Sequence, residues 1–257
     1  MYPTTDEKHK KEPLFTPKEY LEYLKETDEF PEKQIPESVI LCYVEDLMEH
    51  IKGNYEPEKI DFGDDFYSLK RTDGKVGVIG NFGVGAPATA MTVEELAELG
   101  VRRFIGLGYA GTLDDDLEVG DVILCTRAIR DEGTSYHYVE PSKYVEPSQK
   151  LTRDIERYLQ DESINYVKGI TWTVDAPYRE TKGEIRKYKD EGVKTVEMES
   201  SALFAVGKCR GIEVASIFSV SDHLTESGWK PKFDEASEAL YEVFRASLEV
   251  LNKLKPI

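Results

Sequence analysis

The stretch from Thr195 to Asp222 constrains this chain more than any other. The run Thr195-Val196 reads as a buried strand that ends in two carboxylates, Glu197 and Glu199. The next element has Ala202, Leu203, Ala205 and Val206 on one face and stops at Gly211, which is the spacing and the terminator of a helix. A second apolar strand, Val214 to Val220, then runs into Ser221-Asp222-His223. In an α/β sheet, ligands bind at the C-terminal ends of the strands. Glu199 and Asp222, each at a strand end, are therefore expected to face one cleft.

The rest of the chain has to accommodate that unit. A length of 257 residues suits one large α/β domain with a sizeable core. Residues 1–35 are rich in charge and proline and read as an arm with one short helix near Lys18 to Lys25, either free or lying on a neighbour. The domain proper spans 36–257. It opens with a strand at Ser38 to Tyr43 and a helix at Glu45 to Ile51, followed by a polar stretch through Gly74. Val76 to Gly80 is the next strand and Asn81 to Pro87 a glycine-rich loop. Ala88 to Leu99 is a helix bracketed by Pro87 and Gly100. Further strands are expected at Arg103 to Gly108, Asp121 to Cys125 and Val167 to Val174, and a helix at Lys182 to Lys189. Leu240, Phe244, Leu248 and Leu251 stripe a long amphipathic helix from Phe233 to Leu254. The alternation predicts an α/β single domain whose central mixed, partly barrel-like sheet is flanked by helices.

Several functions are excluded by charge and composition. Fifty acidic against 33 basic residues give a net charge of −17, which repels the phosphates of a nucleic acid. Cys42, Cys125 and Cys209 are far apart and lack Cys-x-x-Cys or histidine partners, so three buried free thiols are expected, with no disulfide framework and no zinc site. No apolar run is long enough for a membrane span and the start is charged, which points to a cytoplasmic protein without a membrane partner. The carboxylates have no histidine or cysteine at ligand spacing, so neither a metal nor an organic cofactor is expected. The loop holding Gly83 and Gly85 offers backbone amides at a helix N-terminus, where anions are attracted, but its spacing is not that of a dinucleotide fingerprint.

Together the motifs resemble those of the nucleoside phosphorylase and uridine phosphorylase superfamily, which includes nucleosidases. Gly83-Val-Gly85-Ala-Pro87 with Glu94-Glu95-Leu96, Gly120-Asp121-Val122-Ile123, Arg130-Asp-Glu-Gly-Thr-Ser135, Glu197-Met198-Glu199 and Val220-Ser221-Asp222 stand in the family's order across residues 38 to 250. The resemblance implies a phosphorylase/hydrolase-like fold that cleaves the C–N bond of a small-molecule nucleoside. It implies that Glu199 grips the ribose hydroxyls and Met198 packs on the sugar. Asp222 would hydrogen-bond to or protonate a purine N7 with Ser221 in support. Glu197, by its own position two residues before Glu199 on a strand end, is expected to point to the opposite side and to be structural. The resemblance also implies a homo-oligomer built from dimers, up to a hexamer.

The departures from the family pattern bear on the reaction. The loop that carries a phosphate arginine in phosphorylases reads Tyr43-Val44-Glu45-Asp46-Leu47 here, and the strand with the second arginine reads Gly106-Leu107-Gly108-Tyr109-Ala110-Gly111. Bidentate arginine is the usual partner of an oxyanion. Phosphate as co-substrate is thus in doubt, and the anion candidates left are Gly83, Gly85, Gly108, Tyr109 and, first among the cations, Arg130. The uracil-reading glutamine and arginine are missing around Tyr178, which favours a purine. Pro177 replaces a stacking phenylalanine, so Tyr178 or Trp172 is expected to supply the stacking face. Three readings stand: phosphorolysis, hydrolysis, and nucleoside binding without turnover.

Overall fold

A computed structural model describes residues 5–27, 29–63 and 65–257. The first helix, α1 (Pro17–Glu26), starts where the expected arm helix was placed. Pro17 opens its first turn, and the Glu19 carboxylate turns back to accept the Thr16 backbone N–H at 2.9 Å, so one of the helix's orphan donors is satisfied. There follow β1 (Ser38–Cys42), α2 (Glu45–Asn54), β2 (Pro57–Lys59), β3 (Asp65–Leu69), β4 (Val76–Gly80) and α3 (Ala86–Glu98). The middle of the chain supplies β5 (Arg103–Thr112), β6 (Val122–Asp131), β7 (Tyr144–Val145), α4 (Gln149–Asp161), β8 (Val167–Val174) and α5 (Lys182–Asp190). The last third supplies β9 (Val193–Glu197), α6 (Ser200–Arg210), β10 (Glu213–Thr225), β11 (Gly228–Pro231) and α7 (Phe233–Lys253).

All described strands belong to one mixed sheet. Five of them close on themselves: β5 pairs with β10, β10 with β6, β6 with β8, β8 with β9, and β9 returns to β5. Closure satisfies both backbone edges of each of these strands. An open wing continues from β5 through β1, β4, β3 and β2. β5 therefore sits at the junction of ring and wing, paired in parallel with both β1 and β10.

Helices cover the sheet with the faces that their apolar periodicity predicts. α7 buries Leu240, Phe244, Leu248 and Leu251 against β10, α4 and α2. On the other side α3 and α6 pack on each other, and α6 is buried along nearly its whole length because it lies between α3 and the ring. Gly211 ends α6 at φ 66, the left-handed cap that glycine adopts without strain. α1 docks on α3, with Leu21 and Leu24 buried in the same apolar cluster as Leu96 and Val101. This part of the arm thus lies on its own chain.

Several expectations are corrected. The polar stretch before Gly74 holds the β2–β3 hairpin, antiparallel to β4. α4 was not anticipated, although Leu151, Ile155 and Leu159 recur every four residues and are fully buried. β10 does not stop at Val220. It runs on to Thr225, with a bulge at Ser221. Cys42 and Cys125 are buried and free, whereas Cys209 is exposed. Among the described residues no helix is long and apolar enough to cross a membrane.

Candidate active site

The turn between β9 and α6 is built around Glu197. Its carboxylate accepts the backbone N–H groups of Glu199 and Ser200 at 2.9 and 2.7 Å and the Thr173 hydroxyl at 2.6 Å. It thereby caps the start of α6 and fixes the backbone of Glu199, the structural role the sequence assigned to it. Glu199 then turns toward the glycine-rich loop: Oε1 accepts the Gly85 N–H at 2.7 Å and Oε2 the Met198 N–H at 3.2 Å. Gly85 is at φ 88, a left-handed conformation that a side chain would strain, and Met198 Cε lies 3.8 Å from the position of a Cβ there. Burial raises both carboxyls of the pair. Glu197 has the donors to hold its charge, so the proton resides on Glu199, which burial and then the charge of Glu197 push up to about 8.

Asp222 comes from the bulge in β10. Because Ser221 is the extra residue, Asp222 falls opposite Gly111 of β5, where a Cβ would come within 2.8 Å of Asp222 Oδ2. The Ser221 hydroxyl donates to Oδ1 at 2.6 Å and the Trp229 indole N–H to Oδ2 at 2.8 Å. Trp229 arrives on β11, which pairs antiparallel with the end of β10. Met198, Glu197, Ser221 and Asp222 share the wall of a cavity of about 620 Å³ whose mouth carries Tyr178, Trp229 and Phe233. Glu180 lines the same cavity, and burial, followed by the charge of Asp222, pushes its carboxyl up to about 7.

The profile described as "Phosphorylase superfamily" matches residues 39–252, most of the chain and all of this constellation. The chain belongs to the phosphorylase superfamily. Its relatives include a guanosine phosphorylase of Halorubrum lacusprofundi, 30% identical over 158 residues that cover 62% of this chain and 66% of that protein. A uridine phosphorylase of Haemophilus influenzae is 29% identical over 163 residues, covering 58% and 65%. The aligned part thus spans just under two thirds of these relatives' own length. Among solved structures, uridine phosphorylase from Vibrio fischeri superposes with a TM-score of 0.73 at 25% identity, covering 86% of this chain and 94% of that one. Purine nucleoside phosphorylase from Toxoplasma gondii superposes at 0.74 and 19% identity over 85% and 91%, a likeness of fold.

Within this superfamily member the expected site residues separate into two groups. Met198, Ser221, Asp222, Tyr178 and Tyr109 line the cavity, whereas Glu199 and the Gly83–Gly85 loop, joined by the Gly85 N–H, are not on its wall and connect to it through Met198. Tyr109 also donates or accepts a 3.0 Å hydrogen bond with Ser237 of α7. Trp172 does not belong to the site. It is wholly buried against Tyr188, with its N–H on Asp131 at 2.9 Å, so its ring has no face left for a base. Arg130 is likewise corrected. It bonds Ser135, the Glu140 carbonyl and Ser142, stacks on Tyr136, and faces a separate cavity of about 830 Å³ lined also by Asp131, Lys143 and Lys187. Leu47 lies within α2 and is fully buried in the core.

Trp229, Phe233 and Glu180 were missed. The Ser227-Gly228 turn dipeptide was the available signal for the hairpin that brings Trp229 back; nothing local marks Glu180. Among the described residues no group of three or more histidine, cysteine, aspartate or glutamate side chains is placed to hold a metal ion.

Proposed function

We propose that the chain cleaves the N-glycosidic bond of a nucleoside, with a purine as the leaving base. The observation that carries this reading is a pair of buried carboxyls: Asp222 on the cavity wall, held by Ser221 and Trp229, and Glu199, next in the chain to the wall residue Met198 and held at the glycine-rich loop. Breaking a C–N glycosidic bond leaves positive charge on the sugar and negative charge on the base, so such a site needs a sugar-gripping carboxyl and a proton source beside the base. Glu199 has a proton to donate to one ribose hydroxyl and oxygens to accept from another. Asp222 and Glu180 together flank the base, and the aromatic rim of Tyr178, Trp229 and Phe233 offers stacking faces.

A purine is favoured because the base end presents carboxylates, which accept from amino and ring N–H groups, and lacks the amide and guanidinium that would read a uracil. The volume, about 620 Å³, is in the range that holds a small ligand. The reading invokes no metal and no organic cofactor. We also infer that the working form is a homo-oligomer, since Tyr23 of α1, Val84 of the glycine-rich loop and Met91 of α3 leave large apolar side chains more than half exposed. The test is incubation of the purified protein with a panel of purine and pyrimidine nucleosides and chromatographic identification of the released base. Release of purines in preference to uracil is expected, and release of uracil alone would refute the assignment of the base.

A further inference from the structure

The loop and strand that hold phosphate in the phosphorylases this chain resembles correspond to Tyr43–Leu47 and Gly106–Gly111, a space next to the Met198–Glu199 turn, where Tyr43 and Gly106 stand outside the cavity wall. That space is bounded by the end of β1, the glycines of β5 and the first turns of α3. Tyr43, one residue past β1, lies in it. Its Cε2 is 3.2 Å from where a Cβ on Gly106 would stand, and its Cβ and Cδ2 are 3.4 Å from the same position on Gly108. Its ring meets Phe82 of the glycine-rich loop edge to face at 5.6 Å, and the Thr89 hydroxyl donates to its oxygen at 3.4 Å. Leu203 and Ser216 also crowd Gly106, each 3.2 Å from the same Cβ position. A side chain at 106 would therefore press on Tyr43, Leu203 and Ser216, each of which would have to give way.

We infer that Tyr43 occupies the place an oxyanion would take beneath the sugar, so that water and not phosphate is the nucleophile. The inference rests on the reading that the chain cleaves nucleosides, and it concerns only what attacks. Three observations support it besides the packing. One amide of the glycine-rich loop, the Gly85 N–H, is already held by Glu199. The one cation on the cavity wall among the described residues, Lys182, is exposed on the first turn of α5, next to Glu180 at the base end. The carboxylates on that wall, Glu197 and Asp222, repel a dianion. Burial, and then the nearby Glu199, also hold the Tyr43 phenol well above its ordinary range, so it stays neutral and adds no anionic charge.

The step balances with water alone. The water oxygen bonds to C1′ as the C1′–N bond breaks and its electron pair leaves with the base. One water proton remains on the new anomeric hydroxyl, and the other is released while the base nitrogen takes up one from the carboxyls beside it. The products are the free sugar and the free base.

The experiment measures wild-type cleavage of a purine nucleoside in phosphate-free buffer and across a phosphate titration, identifies the sugar product, and separately titrates inorganic phosphate into the protein by calorimetry. Free sugar, a rate that changes less than about twofold with phosphate, and no saturable phosphate binding are expected. Sugar 1-phosphate as product, or saturable phosphate binding, would overturn the inference while leaving the cleavage reading intact. If no nucleoside is cleaved, the cleavage reading fails and the phosphate titration still decides whether the space is closed to the anion. A double variant, Tyr43→Gly with Gly106→Arg, is expected to gain saturable phosphate binding once the ring is removed. A double variant that melts cooperatively yet gains none would overturn the role given to Tyr43, and the wild-type titration stands if it does not fold.

Discussion

Glu199 and Glu180 have the two carboxyls whose titration ties stability and activity to pH. Glu199 is raised from an ordinary value near 4.5 to about 8, so between those values the folded protein holds a proton that the unfolded chain has lost. Its contribution is fully present below about pH 4.5 and disappears as pH rises through 8, at up to ~1.4 kcal/mol per pH unit for one proton. Glu199→Gln is expected to flatten the fall in stability between pH 5 and 8.5, measured by chemical denaturation, and to lower both nucleoside affinity and turnover. Parallel stability curves for the two proteins would count against the buried proton. Glu180, raised to about 7, keeps its proton on the acidic side of neutrality. A proton donor beside the base predicts that kcat/KM falls above about pH 7 and that Glu180→Gln removes this limb. Asp222→Asn takes away a charge that raises Glu180, so the limb should move to lower pH in that variant. An unchanged pH profile in both variants would exclude Glu180 from proton supply.

At the scale of elements, what was legible in the sequence followed from periodicity. The β9–α6–β10 unit, β4 and its glycine-rich loop, and α7 carry apolar patterns that only their own secondary structure can bury, and they fold as expected. What was not legible depends on partners distant in the chain. Asp222 reads as a strand end because the apolar run stops at Val220, yet the strand continues since Leu224 and Thr225 pair with Trp229 and Gly228. The fates of Trp172 and Arg130 turn on Asp131, Ser135 and Ser142, and no pattern around either residue announces those contacts. The hairpin supports one further prediction. Trp229→Phe keeps an aromatic at the rim but removes the N–H from Asp222, so turnover should drop by about tenfold or more, in line with loss of a charge-assisted hydrogen bond, while the melting temperature stays nearly unchanged because the indole is 60% exposed. Unaltered turnover would show that Ser221 alone orients the carboxylate.

For the whole molecule, the exposed apolar side chains on α1, α3 and the glycine-rich loop are expected to be covered by a second copy. Light scattering at moderate salt should give at least twice the chain mass, and a monomer at micromolar concentration would refute this. Shared salt matters here, since a net charge of −17 on each copy opposes association until it is screened. The fold also distributes its two tryptophans unequally: Trp172 is sealed inside the ring-side core, and Trp229 stands at the cavity mouth. The protein therefore carries its own optical reporter, one emitter that soluble iodide can reach and one that it cannot. A nucleoside that enters the cavity should dim only the quenchable fraction of the fluorescence, so occupancy can be followed by light in the native chain, with no label and no turnover.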